Sequence, residues 1–226
     1  VKVKVSFPAS LRYLASSKSS RSTARVGRAA LTKGGAVLGA DAPQVDVPFA
    51  VATDGWGPDP VKLAYQWYRV DQKGNSKAIA KATAAAYRPS GSVVGLRLKV
   101  VLTVTRPGYT SVSVSSTTSA AVLAGSYQTV PTPVVTGAPE VGHTLGTDAG
   151  TYRDAAGEPV QPSLAYQWYR ITDAGDVPIP GATRATYRVA STDLDHALKV
   201  KVTATRSGYP TQITPSDPTD PVVQGG

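Results

Sequence analysis

Hydrophobic and polar residues alternate along much of this chain, and the most regular alternation occurs twice. Residues 63–69 and residues 164–170 both read LAYQWYR, an identity over seven positions. Alternation with a period of two residues is typical of a strand with one buried and one exposed face. The repeated segment therefore predicts two equivalent strands, with Trp67 and Trp168 at the centres of two equivalent hydrophobic cores.

The repetition extends beyond this segment and divides the chain into two units. Phe49 aligns with Leu145 and Val100 aligns with Val200, so these four apolar residues are further core candidates. Each unit has about seven short alternating segments within roughly 90 residues, separated by turn residues, which is the pattern of an antiparallel β-sandwich. The sequence predicts an all-β protein with three parts, and these are an N-terminal segment (1–33) and two sandwich domains (34–126 and 127–226).

The N-terminal segment contains a further alternating stretch, VKVKVSF, which runs from Val1 to Phe7. It predicts an amphipathic strand and is similar to residues 198–203 near the end of the second repeat. One hypothesis is that residues 1–24 are the last strand pair of a further repeat. The alternative is that the stretch from Val1 to Phe7 adds a strand to the first repeat or to a neighbouring molecule, which would allow self-association.

Charge is distributed unevenly, because residues 1–33 contain eight Lys and Arg residues and no acidic residue. The other 16 basic and 15 acidic residues nearly cancel, so the net charge of +9 belongs mainly to the N-terminal segment. Such a segment is either a solvated linker or an arm that binds an anionic polymer. Nucleic acid is disfavoured as a partner, because base stacking needs aromatic residues in a positive groove and the candidate aromatic residues lie outside this segment.

Residues able to support catalysis or metal binding are few. The chain has no Cys, which excludes disulfides, thiolate metal sites and Cys nucleophiles. Its two histidines, His143 and His196, lack metal-ligand spacing, and no nucleophile motif is present. Asp193 and Asp195 precede a strand and are interpreted as a turn-capping pair. The first repeat has Val93 at the position of Asp193, which indicates that this carboxylate is a variation at the surface. We therefore expect no enzyme activity, no metal and no cofactor.

The order of these motifs resembles a known family. The succession of APxV, YQWYR, an AT pair, LKV and TRxGY is similar to the tandem immunoglobulin-like repeats of actinobacterial secreted and cell-surface proteins. The resemblance covers residues 34–124 and 131–224, with a partial echo in residues 1–24. It implies disulfide-free immunoglobulin-like sandwiches, because the positions of the usual cysteine pairs fall near four apolar residues. These are Phe49, Val100, Leu145 and Val200.

Aromatic residues outside the cores are the candidate ligand-binding residues, namely Trp56, Tyr68, Tyr152 and Tyr169. Tyr68 and Tyr169 follow the core Trp and should face outward by the two-residue period. An exposed row of such rings could stack on the sugar rings of a glycan or cell-wall polymer, or anchor a protein partner. The alternative is that Tyr68 and Tyr169 only cover the outer face of a sheet.

These observations predict a non-catalytic structural or adhesive module, a spacer or surface-binding repeat of a larger bacterial protein located outside the cell or at its surface. One alternative is an accessory region of a secreted cell-wall or polysaccharide hydrolase. Another is a filament or phage-tail subunit joined to its neighbours by exchange of the N-terminal strand. No apolar run reaches the roughly 18 residues of a membrane-spanning helix, so we expect no transmembrane segment.

Overall fold

Two β-sandwiches, one for each sequence repeat, make up residues 27–226, the part of the chain that the computed structural model describes. The strand predicted from Val1 to Phe7 lies outside the described residues. We call the first sandwich unit 1 and the second unit 2. The strands of unit 1 are β1 (Val37–Leu38), β2 (Phe49–Ala52), β3 (Lys62–Val70), β4 (Ser76–Ala78), β5 (Ala86–Tyr87), β6 (Arg97–Thr105) and β7 (Val112–Ser115).

Unit 1 consists of a three-stranded sheet in the order β1-β2-β5 and a four-stranded sheet in the order β4-β3-β6-β7. Every pairing between these strands is antiparallel. Strand β2 pairs with β5 and β3 pairs with β6, so strands that are neighbours in a sheet are often distant in sequence. This arrangement of two packed antiparallel sheets is an immunoglobulin-like sandwich, as predicted.

Unit 2 repeats this topology and adds a small sheet at its start. Its sheets have the orders β9-β10-β15 and β14-β13-β16-β17, which match those of unit 1 strand for strand, and the added sheet has the order β8-β11-β12. The strands of unit 2 are β8 (Tyr127–Thr129), β9 (Val134–Thr136), β10 (Thr144–Asp148), β11 (Tyr152–Asp154), β12 (Pro159–Val160), β13 (Ser163–Thr172), β14 (Gly175–Pro178), β15 (Thr186–Arg188), β16 (Leu198–Thr205) and β17 (Gln212–Pro215).

Each core is built around the indole of the repeated segment. Trp67 lies opposite Val100 and Trp168 lies opposite Val200 in the central strand pairs, and all four side chains are inaccessible to solvent. The facing sheet contributes a buried side chain to each core, Phe49 in unit 1 and Leu145 in unit 2. Along β6, buried residues alternate with partly exposed ones, as the two-residue period requires. The six residues proposed as core from the sequence are therefore all buried.

The interpretation of Asp193 as surface variation is wrong, because its side chain is completely buried in unit 2. It accepts hydrogen bonds from Nε of Arg170 at 3.0 Å, from the hydroxyl of Tyr187 at 2.7 Å and from the backbone N–H of Ala190 at 2.8 Å. These donors offset the cost of removing a carboxylate from water. In unit 1, the buried Val93 occupies the equivalent position and needs no such partners.

Unit 1 begins earlier in the sequence than residue 34, the predicted boundary. Leu31 is buried with Leu102 and Val104 of strand β6. The backbone N–H of Ala29 donates to the carbonyl of Gly108 at 3.1 Å, and Thr110 donates back to Ala29 at 2.9 Å. The described part of the N-terminal segment is therefore packed against unit 1 and does not form a separate arm.

Replacement of Trp168 by Ala should lower the stability of unit 2 by about 3–5 kcal/mol, because it leaves a large cavity at the centre of the core. Unit 1 should keep most of its native structure, since Trp168 packs only in the core of unit 2. Denaturant unfolding followed by amide NMR signals of each unit measures both effects, and Trp67→Ala is the matched control for unit 1. A loss under about 1 kcal/mol would contradict the assigned role of this indole.

Candidate functional site at the junction of the two units

The aromatic residues proposed as ligand-binding residues lie in different environments. Tyr68 and Tyr169 are partly exposed on the outer faces of the four-stranded sheets. The Nζ atom of Lys99 lies 5.6 Å from the centroid of the Tyr68 ring, and that of Lys201 lies 4.2 Å from the centroid of the Tyr169 ring. The Tyr169 ring is therefore engaged in a cation–π contact on the sheet surface.

Trp56 and Tyr152 are aligned in sequence but do not form an exposed row. Trp56 is half-buried, and its indole N–H donates to the carbonyl of Gly35 at 3.2 Å. The expectation of an exposed Tyr152 is wrong, because only 2% of this residue is exposed. Tyr152 belongs to strand β11, where its ring packs against that of Tyr127 at a centroid distance of 5.6 Å. It is therefore unable to stack on a ligand from solvent.

The clearest cluster of charged and aromatic side chains lies where the two units meet. Asp46, in the loop between β1 and β2, accepts hydrogen bonds on Oδ2 from two residues in the turn between β16 and β17. Arg206 donates from Nη2 at 2.7 Å and from Nε at 3.3 Å, and the Tyr209 hydroxyl donates at 2.9 Å. One carboxylate of unit 1 therefore anchors a turn of unit 2 through charge-assisted hydrogen bonds.

The loop that carries Asp46 is held in place by its own backbone contacts. Asp46 has a φ of 62°, in the left-handed region that Asp tolerates better than most residues. Its N–H donates to the carbonyl of Pro89 at 2.9 Å, and its carbonyl accepts a hydrogen bond from the guanidinium of Arg88. These contacts tie the loop to the segment after β5, so the carboxylate has a defined position before unit 2 meets it.

The Tyr209 ring is part of the hydrophobic core of unit 1 although the residue belongs to unit 2. Only 9% of Tyr209 is exposed, and it packs within the same cluster as Phe49 and Trp67. Its ring centroid lies 4.8 Å from that of Tyr127, which in turn contacts Tyr152. Burial, together with the hydrogen bond to Asp46, raises the pKa of Tyr209 to about 12. The phenol is therefore a protonated donor at neutral pH.

A second charge pair crosses the same junction. Nη1 of Arg88 in unit 1 lies 3.7 Å from Oδ2 of Asp154 in unit 2, and Asp154 is buried. The other carboxylate oxygen accepts hydrogen bonds from the N–H groups of Ala156 and Glu158, both at 2.9 Å. Because Arg88 also contacts the Asp46 backbone, the two pairs form a continuous polar network across the junction.

Glycine residues allow the two backbones to approach closely here. The N–H of Gly125 donates to the carbonyl of Gly208 at 2.8 Å, and a Cβ atom on Gly125 would lie 2.4 Å from the Tyr209 ring. A Cβ atom on Gly91 would lie 2.3 Å from the backbone of Ser207. Any larger residue at these two positions would force the turn of unit 2 away from unit 1.

The contacts at the junction are suited to holding the two units together. Beside it lies an open cleft of about 740 Å³ lined mainly by hydroxyl side chains, and the guanidinium in this cleft, that of Arg206, is already paired with Asp46. Between residues 27 and 226 there is no group of three or more His, Asp or Glu residues that could hold a metal ion. Within the same range, no helix is long and apolar enough to cross a membrane.

The sequence did not reveal the residues of this junction. In the sequence, Arg206, Gly208 and Tyr209 stand out only as part of the TRxGY motif that both repeats share. Tyr209 is the feature that could have indicated a docking surface, because a large aromatic ring in a turn needs a surface against which to pack. Asp46 carried a second signal, since the other repeat has Gly142 at this position.

Comparison with known proteins gives distant similarities of fold. No protein-family model and no curated protein matches the chain. One similar solved structure is that of a Ca²⁺-stabilised adhesin with which an Antarctic bacterium binds ice, at 13% identity and a TM-score of 0.30 over 86% of this chain and 50% of the adhesin chain. Another is a set of consecutive titin domains, at 13% identity and a TM-score of 0.28 over 81% of this chain and 62% of the titin chain.

The chain therefore spans about half the length of the adhesin structure and less than two thirds of the titin structure. The class of protein is defined by its own strand order and cores. It is a tandem pair of immunoglobulin-like β-sandwiches without cysteine, joined at a junction in which the Asp46 carboxylate of one unit binds a turn of the other.

Replacement of Tyr209 by Phe should destabilise the chain by about 1.5–3 kcal/mol, because it removes a hydrogen bond to a charged group. The matched control is Tyr152→Phe. Among the described residues the buried Tyr152 hydroxyl has no hydrogen-bond partner, so its removal should be neutral or stabilising. Thermal and denaturant unfolding of both variants checks this, and equal losses for the two variants would contradict the assigned role of the Tyr209 hydroxyl.

Proposed function

We propose that this chain is a non-catalytic structural spacer in which the junction holds two immunoglobulin-like units in one fixed relative orientation. The observation that carries the proposal is the position of Tyr209, whose ring belongs to the core of unit 1 and whose hydroxyl binds Asp46. Domains joined in one chain move relative to each other by default unless their interface is extensive and hydrophobic. Here an aromatic contact and a charged contact act together against that motion.

The connection between the units also supports a rigid spacer. Nε2 of Gln44 donates to the carbonyl of Ala124 at 3.0 Å and to Oγ of Ser126 at 3.3 Å, so unit 1 holds the start of the connection. The end of the connection forms strand β8, which pairs with β11 of unit 2. No free stretch therefore remains between the units to act as a hinge.

The junction joins one end of unit 1 to the opposite end of unit 2, and this end-to-end arrangement favours an elongated shape. In unit 1 the contacts involve the β1–β2 loop and the segment after β5. In unit 2 they involve the β16–β17 turn and Asp154 at the end of β11. A chain of such units separates whatever is attached at its two ends. We place this spacer outside the bacterial cell or at its surface, on the basis of the resemblance to actinobacterial secreted repeats.

The same rigid spacer would also serve as an accessory region beside a secreted hydrolase or as part of a filament, the two alternatives that the sequence suggests. These settings differ in what flanks the chain and not in the mechanical property proposed for it. A surface-binding role depends on the partly exposed aromatic residues, and Tyr169 already has a cationic partner on the sheet surface.

Spin-label distance measurements test the proposal, and the absence of native cysteine makes labelling specific. Labels at Lys73→Cys and Ala174→Cys occupy equivalent exposed turns in the two units. We expect a single narrow distance distribution for the otherwise unchanged chain. Asp46→Gly should broaden it, because glycine removes the carboxylate without straining a backbone that has a positive φ.

The matched control is Asp195→Gly, which also replaces an aspartate of positive φ by the residue found in the other repeat, Gly95. Asp195 has no contact with the other unit among the hydrogen bonds and ion pairs of the described residues, so the distribution should stay narrow. A broad distribution in the unchanged chain, or no effect of Asp46→Gly, would overturn the proposal.

A further inference from the structure

The β6–β7 turn of unit 1 is built like the β16–β17 turn that docks unit 2. Both turns read Thr-Arg-x-Gly-Tyr, from Thr105 to Tyr109 in unit 1. In both, the arginine guanidinium lies over the tyrosine ring, at 5.1 Å in unit 1 and 5.3 Å in unit 2. Gly108 and Gly208 have φ values of 81° and 79°. The turn of unit 1 therefore presents the same groups in the same local geometry.

The chain also enters both units along the same path. Ala29 donates from its N–H to the carbonyl of Gly108, as Gly125 donates to the carbonyl of Gly208. Two residues later, Leu31 packs in the same cluster as Trp56, as Tyr127 packs against Tyr152. Gly125 belongs to the end of unit 1. Ala29 consequently lies where the end of a preceding unit would lie.

The two turns differ in what covers them. A Cβ atom on Gly208 would lie 2.4 Å from Gly91 of unit 1, whereas a Cβ atom on Gly108 would meet nothing within 4 Å in the described structure. Tyr109 is only half-buried. The Arg106 guanidinium donates to the carbonyls of Pro58 and Pro60, and no carboxylate pairs with it among residues 27–226. The turn of unit 1 thus has the donors of a junction without its acceptor.

We propose that Arg106 and Tyr109 form a second docking surface, and that its occupant is a further immunoglobulin-like unit on the N-terminal side of unit 1. This inference rests on the proposed spacer function, because it extends the same junction by one unit. The occupant carries an acidic residue at the position of Asp46 and glycine at the position of Gly91. It agrees with the sequence-based hypothesis that residues 1–24 derive from the end of a preceding repeat.

The exposed end of unit 2 in a second copy of this chain does not fit the same surface. Gly142 occupies the position of Asp46, since its N–H makes the equivalent bond to the carbonyl of Val189 at 2.9 Å. It therefore offers no carboxylate to an incoming arginine and tyrosine. Ser191 occupies the position of Gly91, where a Cβ atom would collide with the docked turn. A preceding unit that resembles unit 1 at its end is the partner that satisfies both requirements.

A three-unit chain tests the inference. A second copy of residues 30–125 is inserted between Ala29 and Ala30, so that the end of one unit 1 precedes another and the glycine of the natural junction is kept. Spin labels at Lys73→Cys in both copies report on the new junction. Labels at Lys73→Cys in the second copy and at Ala174→Cys report on the original one. We expect equally narrow distance distributions across both junctions.

The matched control carries Asp46→Gly and Gly91→Ser in the first copy alone. These changes replace the two docking residues of that copy by the residues found in unit 2. The new junction of this control should show a broad distribution while the original junction stays narrow. If the distribution across the new junction is broad in both the three-unit chain and its control, while that across the original junction is narrow, this inference is overturned and the spacer function stands. A broad original junction would instead overturn the spacer function on which the inference rests.

Discussion

The burial of one indole in each unit is the constraint on which the fold depends. Nε1 of Trp67 donates to the carbonyl of Ala84 at 2.9 Å, and Nε1 of Trp168 donates to that of Arg184 at 3.0 Å. Both acceptors lie just before the strand that enters the three-stranded sheet, so each indole links its own sheet to the facing one. In a chain without disulfides, this buried contact and the apolar area around it take over the task of joining the sheets.

The strand order that the two units share explains how they form one asymmetric junction. This order places the β1–β2 loop and the β6–β7 turn, or their counterparts, at opposite ends of each sandwich. Differences at a few loop positions then decide which ends can meet. In unit 1, Asp46 supplies a carboxylate acceptor and Gly91 leaves space for the docked turn. In unit 2, Gly142 and Ser191 occupy these positions and provide neither. Loop residues therefore decide which ends can dock, while the two cores stay equivalent.

The two-residue period made the fold predictable from the sequence, and it also identified the buried faces of the central strands. It identified Trp67 and Trp168 because an aromatic residue inside an alternating strand has only one apolar face to occupy. The exposure of Tyr152 was predicted wrongly, since its alignment with the loop residue Trp56 concealed the short strand β11. Asp193 was misjudged for a related reason, because comparison with Val93 cannot show that Arg170 and Tyr187 converge on a buried carboxylate.

The sequence singles out individual residues of the junction but not their contacts, because these depend on which surfaces of separate units meet in space. Periodicity reports on the inside and outside of one sandwich and carries no information about its ends. The central claim is that Asp46, Arg206 and Tyr209 make the two units one rigid body. Residual dipolar couplings of backbone amides, measured separately for each unit in one aligned sample, test it most directly. We predict one alignment tensor, equal in magnitude and orientation, for both units, and tensors that differ between the units would contradict the account.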